Sequence, residues 1–404
     1  MEKLALIDFS LTGQQVLLQK TARDFAQKEI RPIAEEIERG GHGDTRPWDA
    51  CREMFRKAAR MGFMALLIPE EYGGGGGTCV DSAILHEELG AADVGIAADL
   101  FNLTIGLPQV IVRYGTLEQR QNWLAHLASA EEYPLALAAT ENDVAGAETF
   151  CPHPDARLGL KTSARREGNE YVIDGAKSSF VSNSGVAGSY FLACRTDPGR
   201  PASEGASLFY VPAETPGLSV GKRTAMLGMR TSQQAEVYLD NTRLPLGNLI
   251  GREGEAAAVL AGSTGYLTVG LAACYVGLAR TAFEYARDFA KLRRSWGEPI
   301  KHHQAVALNL AEMHIGVEAA RLMVWHAAWA IDAGDALAGA VKAPAAKTFA
   351  VDTAIKTAEN AVRILGGCGL SREYPVEKYL RDAWMGYHCD SSREVLHLRI
   401  AELL

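Results

Sequence analysis

Apolar and charged residues alternate at helical spacing over residues 11–40, and the glycines around Gly40–Gly43 stop the pattern. Residues 47–66 repeat it. Ile68-Pro69-Glu70-Glu71-Tyr72 then leads into five glycines, Gly73–Gly77, which read as a flexible turn. No Gly-Lys-Ser/Thr word follows them, so they do not form a phosphate-binding loop. Helical stretches resume near Asp81 and run, with breaks, to about Ala130. The texture changes near Tyr133. Short β-type runs at 135–139, 171–174, 189–194, 207–211 and 235–239 are separated by the turn formers Asp174-Gly175, Asp197-Pro198-Gly199 and Pro216-Gly217. From Gly254 the helical period returns. Val276, Ala279, Phe283, Ala286 and Phe289 share one face. Val306, Leu310, Met313, Val317, Ala320, Val324, Ala327 and Ile331 alternate steps of four and three, the seam of a helix bundle. Leu308, Ile315 and Leu322 lie off that seam, which places the helix inside a bundle or at a subunit interface.

These patterns predict an α+β protein of three parts: an N-terminal helical domain (1–133), a middle antiparallel β domain, barrel or sandwich (134–248), and a C-terminal four-helix bundle (249–404). Composition narrows the function. With 41 Lys+Arg against 49 Asp+Glu over 404 residues and no basic run, binding to nucleic acid through phosphate neutralisation is not expected. No uninterrupted apolar stretch reaches the length of a membrane span, and Glu2 and Asp8 interrupt any secretory h-region. Seven scattered cysteines without a Cys-x-x-Cys pair read as reduced thiols of a cytoplasmic protein. Cys151, His153 and Asp155 sit in one loop, 145–159. The preferred reading there is a plain surface loop without a metal.

Several words are more specific. They are Ile68-Pro69-Glu70-Glu71-Tyr72-Gly73-Gly74, Thr140-Glu141, Leu227-Gly228-Met229-Arg230, Gly251-Arg252-Glu253-Gly254, Arg293-Arg294-Ser295-Trp296-Gly297, His303-Gln304, Ile364-Leu365-Gly366-Gly367-Cys368-Gly369, and Glu373-Tyr374-Pro375-Val376-Glu377-Lys378 through Arg381-Asp382-Ala383. In this order they resemble the acyl-CoA dehydrogenase family over nearly the whole chain. The resemblance implies an FAD enzyme that oxidises an acyl-CoA thioester. It also implies a homotetramer or dimer and an electron-transferring flavoprotein as the usual acceptor. By the same resemblance Arg293 grips the FAD pyrophosphate, usually from a neighbouring subunit, as a bidentate guanidinium suits. Trp296 and Gln304 lie near the adenosine half, and Gly366 and Gly367 let the backbone approach the cofactor. Thr140 lies beside the flavin ring, and Phe180-Val181-Ser182 pack on it. Arg363 stands where the family usually has glutamine. Ser178-Ser179 carries one residue more than common members have.

The chemistry requires a carboxylate that removes the proton α to a thioester while the β-hydrogen leaves as hydride to flavin N5. The family's usual Glu-Gly-Thr word reads Asp390-Ser391-Ser392 here, which places Asp390 as the base and Ser392 against FAD. The competing readings are a structural or N-capping Asp390 and, more distantly, Glu394 as the base. A branch of the family carries its base on the helix after Gly254, where this chain offers Ser263–Thr268 and no carboxylate. An Asp-x-x-Arg word that helps hold CoA is replaced by Gly265 and Thr268, and His397 stands where an arginine is expected. The carrier is therefore CoA held differently, or another thioester carrier. Asp as the base, with Lys-Ser-Ser-Phe-Val-Ser-Asn (177–183), resembles members that oxidise alicyclic acyl-CoA thioesters. A straight-chain acyl-CoA substrate stays open, and two further readings are a nitroalkane-oxidase-like enzyme using Asp390 and a non-catalytic FAD-binding relative.

Overall fold

The computed structural model describes residues 10–40, 47–129, 133–144, 149–151 and 153–404. Helix α1 (Gly13–Phe25) begins at a reciprocal cap. The Thr12 hydroxyl accepts from the Gln15 amide, and the Gln15 side chain accepts from the Thr12 amide. After α2 (Arg31–Gly40) and α3 (Pro47–Arg60), α4 (Cys79–Ala92) opens on the same device with Thr78 and Asp81 and is almost wholly buried. A π-helical stretch, Ile96–Asn102, and the short helices α5 (Leu103–Gly106), α6 (Pro108–Tyr114), α7 (Leu117–Gln119) and α8 (Ala125–Ser129) complete the first helical block.

The glycine run is not flexible. The amides of Gly75, Gly76 and Gly77 donate to the carbonyls of Ala65, Ile68 and Leu66 at 2.8–2.9 Å. A Cβ on Gly74 would lie 2.1 Å from the Ile68 carbonyl oxygen. The run is a close backbone-to-backbone approach that only glycine permits.

The middle block is a single eight-stranded sheet: β1 (Leu135–Ala138), β2 (Ser163–Glu167), β3 (Glu170–Ser182), β4 (Ser189–Arg195), β5 (Ala206–Pro212), β6 (Leu218–Val220), β7 (Gln234–Pro245) and β8 (Leu249–Ile250). The short helix α9 (Ala202–Gly205) precedes β5. The strand order is β6-β7-β3-β2-β4-β5-β8, with β1 added in parallel to β4, so the sheet is open rather than a closed barrel and is not purely antiparallel. Asp174-Gly175 does not end a strand. β3 runs through it, with Gly175 at φ +146° inside a register shift against β7. A glycine bulge and a hairpin turn carry the same dipeptide, and long-range pairing decides between them. A second shift lies between Lys177 and Val181, where the Ser178-Ser179 segment is accommodated as a bulge.

The last block contains α10 (Ala256–Leu292), the two-residue strands β9 (Arg294–Ser295) and β10 (Glu298–Pro299), α11 (Gln304–Asp332), α12 (Ala343–Leu365), α13 (Val376–Met385) and α14 (Arg393–Leu403). The core of α10–α13 is continuous with that of α1–α4. Ile96–Tyr114 and α10 are long and apolar enough to cross a membrane, but 83% and 67% of their most apolar windows are buried inside the protein, as in core helices.

Buried charges join the three blocks. Lys378 Nζ donates to Asp93 at 2.7 Å and to Asp382, and Asp382 accepts from the Met229 amide at 2.6 Å. Asp93 also accepts from the Thr231 hydroxyl. Glu38 pairs with Arg230 and Arg381 close by. Glu87 and Glu88 likewise pair with Arg280 and Arg321 between α4 and the bundle.

Candidate active site

After α13, Gly386 lies against Tyr275, where a Cβ would fall 2.5 Å from the phenol ring. The chain then tightens through Cys389, whose amide donates to the Met385 carbonyl at 3.1 Å, and presents Asp390 at φ +64°. Asp and Asn are among the few non-glycine residues that tolerate this left-handed conformation. Ser392, not Asp390, caps α14, its hydroxyl accepting from the Val395 amide at 3.4 Å. The capping explanation for Asp390 is therefore removed, and Ser392 has a structural task of its own.

Two neighbours hold the Asp390 turn. The Thr268 hydroxyl on α10 donates to Asp390 Oδ2 at 3.3 Å. Buried Lys347 on α12 donates to the Ser391 carbonyl at 2.9 Å. Asp390 keeps an exposed surface, yet protein surrounds its carboxyl closely. Burial pushes its pKa above the ordinary range, against the pull of Lys347 and Thr268. Burial lowers the Lys347 pKa, while the charges of Asp390 and its neighbours oppose that shift. Glu394 differs. It is exposed and accepts from the Tyr387 hydroxyl, which holds its pKa below the usual value. Of these two carboxyls, Asp390 is the one whose pKa is raised.

The residues expected at the cofactor fall into three groups. Thr140 and Phe180–Ser182 adjoin, since the Ser178 amide donates to the Thr140 carbonyl at 2.9 Å. Val181 is buried in the sheet core and its carbonyl accepts from the Ser184 amide, whereas Phe180 is 60% exposed beside the bulge. Arg293, Trp296 and Gln304 form a second group around the β9–β10 hairpin. Trp296 (φ +53°) and Gly297 (φ +85°) make its turn, and Trp296 is 96% exposed. The third is at the end of α12. Gly366 (φ +58°) caps the helix, no atom lies within 4 Å of a Cβ built on Gly366 or Gly367, and exposed Arg363 reaches Asn360 at 3.4 Å. Among the described residues no hydrogen bond or ion pair joins the three groups. The set fits a long, flat, anionic cofactor. It offers an exposed aromatic face beside hydroxyls, a cradle that side chains would fill, and guanidiniums for phosphates.

Thr268 and Lys347 were not legible as site residues from sequence. Thr268 entered only as the replacement of an expected arginine, and a lysine within an Ala-rich helix gives no local signal. Several diagnostic words are joints instead of ligands. Glu141 forms a buried pair with Lys177 at 2.7 Å and accepts from the Lys161 and Thr162 amides, and Asp382 and Lys378 belong to the inter-block network. In the 145–159 loop, residues 145–148 and 152 lie outside the described residues. Asp155 is clasped by Arg157, and His153 accepts from the Asp155 amide, so a surface turn accounts for both.

Family models of the acyl-CoA dehydrogenase N-terminal, middle and C-terminal domains match residues 12–131, 136–242 and 259–404. An acyl-CoA dehydrogenase of Bacillus subtilis is 34% identical, with 98% of each chain covered. The mitochondrial isobutyryl-CoA dehydrogenase of Dictyostelium discoideum is 33% identical over 98% of this chain and 90% of its own. The butyryl-CoA dehydrogenase structure from Megasphaera elsdenii superposes with a TM-score of 0.89 at 29% identity, covering 98% and 99% of the two chains. With all three domains matched in order, this chain belongs to the acyl-CoA dehydrogenase family, FAD-dependent oxidoreductases acting on a CH–CH bond.

Proposed function

We propose that the protein dehydrogenates an acyl-CoA thioester at the α and β carbons, with Asp390 as the base. The observation that carries this reading is the Asp390 carboxyl, raised in pKa by burial and held by Thr268 in a turn that Lys347 fixes. A base whose pKa rises toward the working pH retains more basicity when it meets a thioester-acidified α-carbon. Bound FAD supplies the acceptor for the β-hydride. The chain's part is to present the aromatic and hydroxyl groups of Phe180, Ser182 and Thr140 on the flavin side. Arg293, Arg363, Trp296, Gln304, Ser392 and the Gly366–Gly367 backbone are proposed to hold the remainder of the cofactor.

The acyl group we propose is branched or alicyclic. Asp is one methylene shorter than Glu, and a misplacement of about 1 Å can cost on the order of a hundredfold in rate. The shorter base therefore suits a bulkier α-carbon. We further propose a homo-oligomer, tetramer or dimer. Leu308, Ile315, Leu322 and Trp329 are all exposed on α11 at heptad spacing, near a hairpin that carries Trp296 into solvent. An electron-transferring flavoprotein is the proposed acceptor.

The test is anaerobic addition of linear, branched and alicyclic acyl-CoA thioesters to the purified flavoprotein. One class should bleach the flavin band. Asp390→Asn, which keeps the left-handed turn, should abolish bleaching with FAD still bound. Persistence of bleaching in that variant removes Asp390 from the role. Bleaching by nitroalkanes instead of any thioester replaces the substrate reading.

A further inference from the structure

A second carboxyl near this site has no role in the mechanism above. Asp99 lies in the π-helical stretch Ile96–Asn102, a kind of helix irregularity often found at functional sites. It is buried. On one side it meets the ends of β3 and β7. The Ser232 hydroxyl donates to its Oδ2, and Gln234 Nε2 lies 3.5 Å from the same oxygen and 3.3 Å from the Ser182 hydroxyl. On the other side its charge bears on the thiols of Cys274, on α10, and Cys389, the residue preceding Asp390. Asp99 thus lies between the proposed flavin-side strand and the residue that precedes the proposed base.

Its surroundings contain too many acceptors. Gln234 Oε1 and Asn183 Oδ1 are buried without a hydrogen-bond partner, although the Asn183 amide group donates to the Asp99 and Leu135 carbonyls at 2.7 and 2.8 Å. No cation pairs with the Asp99 carboxyl among the described residues; Gln234 and Ser182 hydrogen-bond to it, and the Asp93 carboxylate opposes its ionisation. A purely hydrocarbon acyl group would leave Gln234 Oε1 and Asn183 Oδ1 unmet beside Asp99, and a buried acceptor without a donor is costly. A ligand that brings a donor would satisfy them together.

We infer that Asp99, with Gln234, is a polar anchor for the acyl group, selecting thioesters whose acyl part carries an ammonium or a hydroxyl. The inference rests on the acyl-thioester reading above and deepens it by naming the substituent. The ammonium is the better match, because a charge-assisted hydrogen bond to carboxylate is roughly twice as strong as a neutral one.

The experiment measures binding, not turnover, in the holoenzyme carrying Asp390→Asn. Perturbation of the flavin spectrum is titrated with shape-matched pairs: cyclohexanecarbonyl-CoA against piperidinecarbonyl-CoA and against hydroxycyclohexanecarbonyl-CoA. The expected result is at least about tenfold tighter binding of a donor-bearing member. Asp99→Leu should abolish that preference, so that the members of each pair bind alike. Gln234→Leu should reduce the preference in part. Equal binding within both pairs overturns the inference, as does a preference that survives Asp99→Leu. If Asp99→Asn loses FAD or shifts the ligand-free flavin spectrum, the anchor serves the cofactor instead. If Asp99→Asn in an otherwise wild-type enzyme stops flavin reduction and leaves the binding ratios unchanged, Asp99 handles a proton and is no anchor. Failure of the Asp390 reading appears separately, as bleaching in the Asp390→Asn protein.

Discussion

Asp390 and Thr268 make a prediction of their own. The Thr268 hydroxyl bond lowers the Asp390 pKa against the larger upward push of burial. Removing it in Thr268→Val should raise that pKa further. The acidic limb of the kcat/KM profile, where a protonated base is inactive, should move to higher pH, and the rate near neutrality should fall by about fivefold to tenfold, in line with one lost hydrogen bond. An unshifted limb would show that Thr268 does not touch the base. Asp99 gives a stability prediction. Burial pushes its pKa up to about 7 from 3.8. The folded protein therefore holds this proton more tightly than the unfolded chain does. The resulting stability is present at low pH and is lost as pH rises from roughly 4 to 7. Asp99→Asn should flatten that window in denaturant titrations, by a few kcal/mol at about 1.4 kcal/mol per pKa unit. Sequence made Asp390 visible because a motif surrounds it. Thr268, Lys347 and Asp99 stayed hidden because each reaches the site from a distant helix, and nothing beside them in the chain reports that approach.

Secondary structure was legible where period and breakers agreed, as in α1, α4 and the long bundle helices. Meaning was harder to read at glycines. Gly175 suggests a turn and sits in a bulge, and Gly73–Gly77 suggest slack and are pinned. In both cases the deciding contact comes from elsewhere, Thr162 for Gly175 and the 65–68 backbone for the run. The helices α4 and α10 carry a further example. A Cβ on Gly90 would fall 2.3 Å from the Cys274 carbonyl oxygen, and one on Gly277 would fall 2.2 Å from that of Glu87. The two helices cross with backbone against backbone. Gly277→Ala, harmless by helix propensity alone, should destabilise the protein by about 1–3 kcal/mol through overpacking. An unchanged or raised midpoint in urea would refute the close crossing.

The three-block architecture was readable because each block keeps one period over a long stretch. The openness of the sheet was not, since edge pairing depends on partners far apart in sequence. At this scale the exposed row Leu308, Ile315, Leu322 and Trp329 carries a prediction. Ile315→Lys should shift the protein toward smaller species in light scattering. If Arg293 serves a neighbour's cofactor, the same change should lower FAD occupancy. A variant that keeps the assembly of the wild type removes this face from the interface.

Lys378, Asp93 and Asp382 tie the helix before the Asp390 turn to both other blocks through two fully buried carboxylates and a mostly buried ammonium. Removing one member of such a buried set strands its partners and typically costs 3–5 kcal/mol. In a random-mutation screen scored for lost activity, these three positions should surface alongside Asp390, although none of them is assigned to substrate or flavin. Their variants should be recognisable by low protein yield, whereas an Asp390→Asn variant should accumulate normally, yellow and inert.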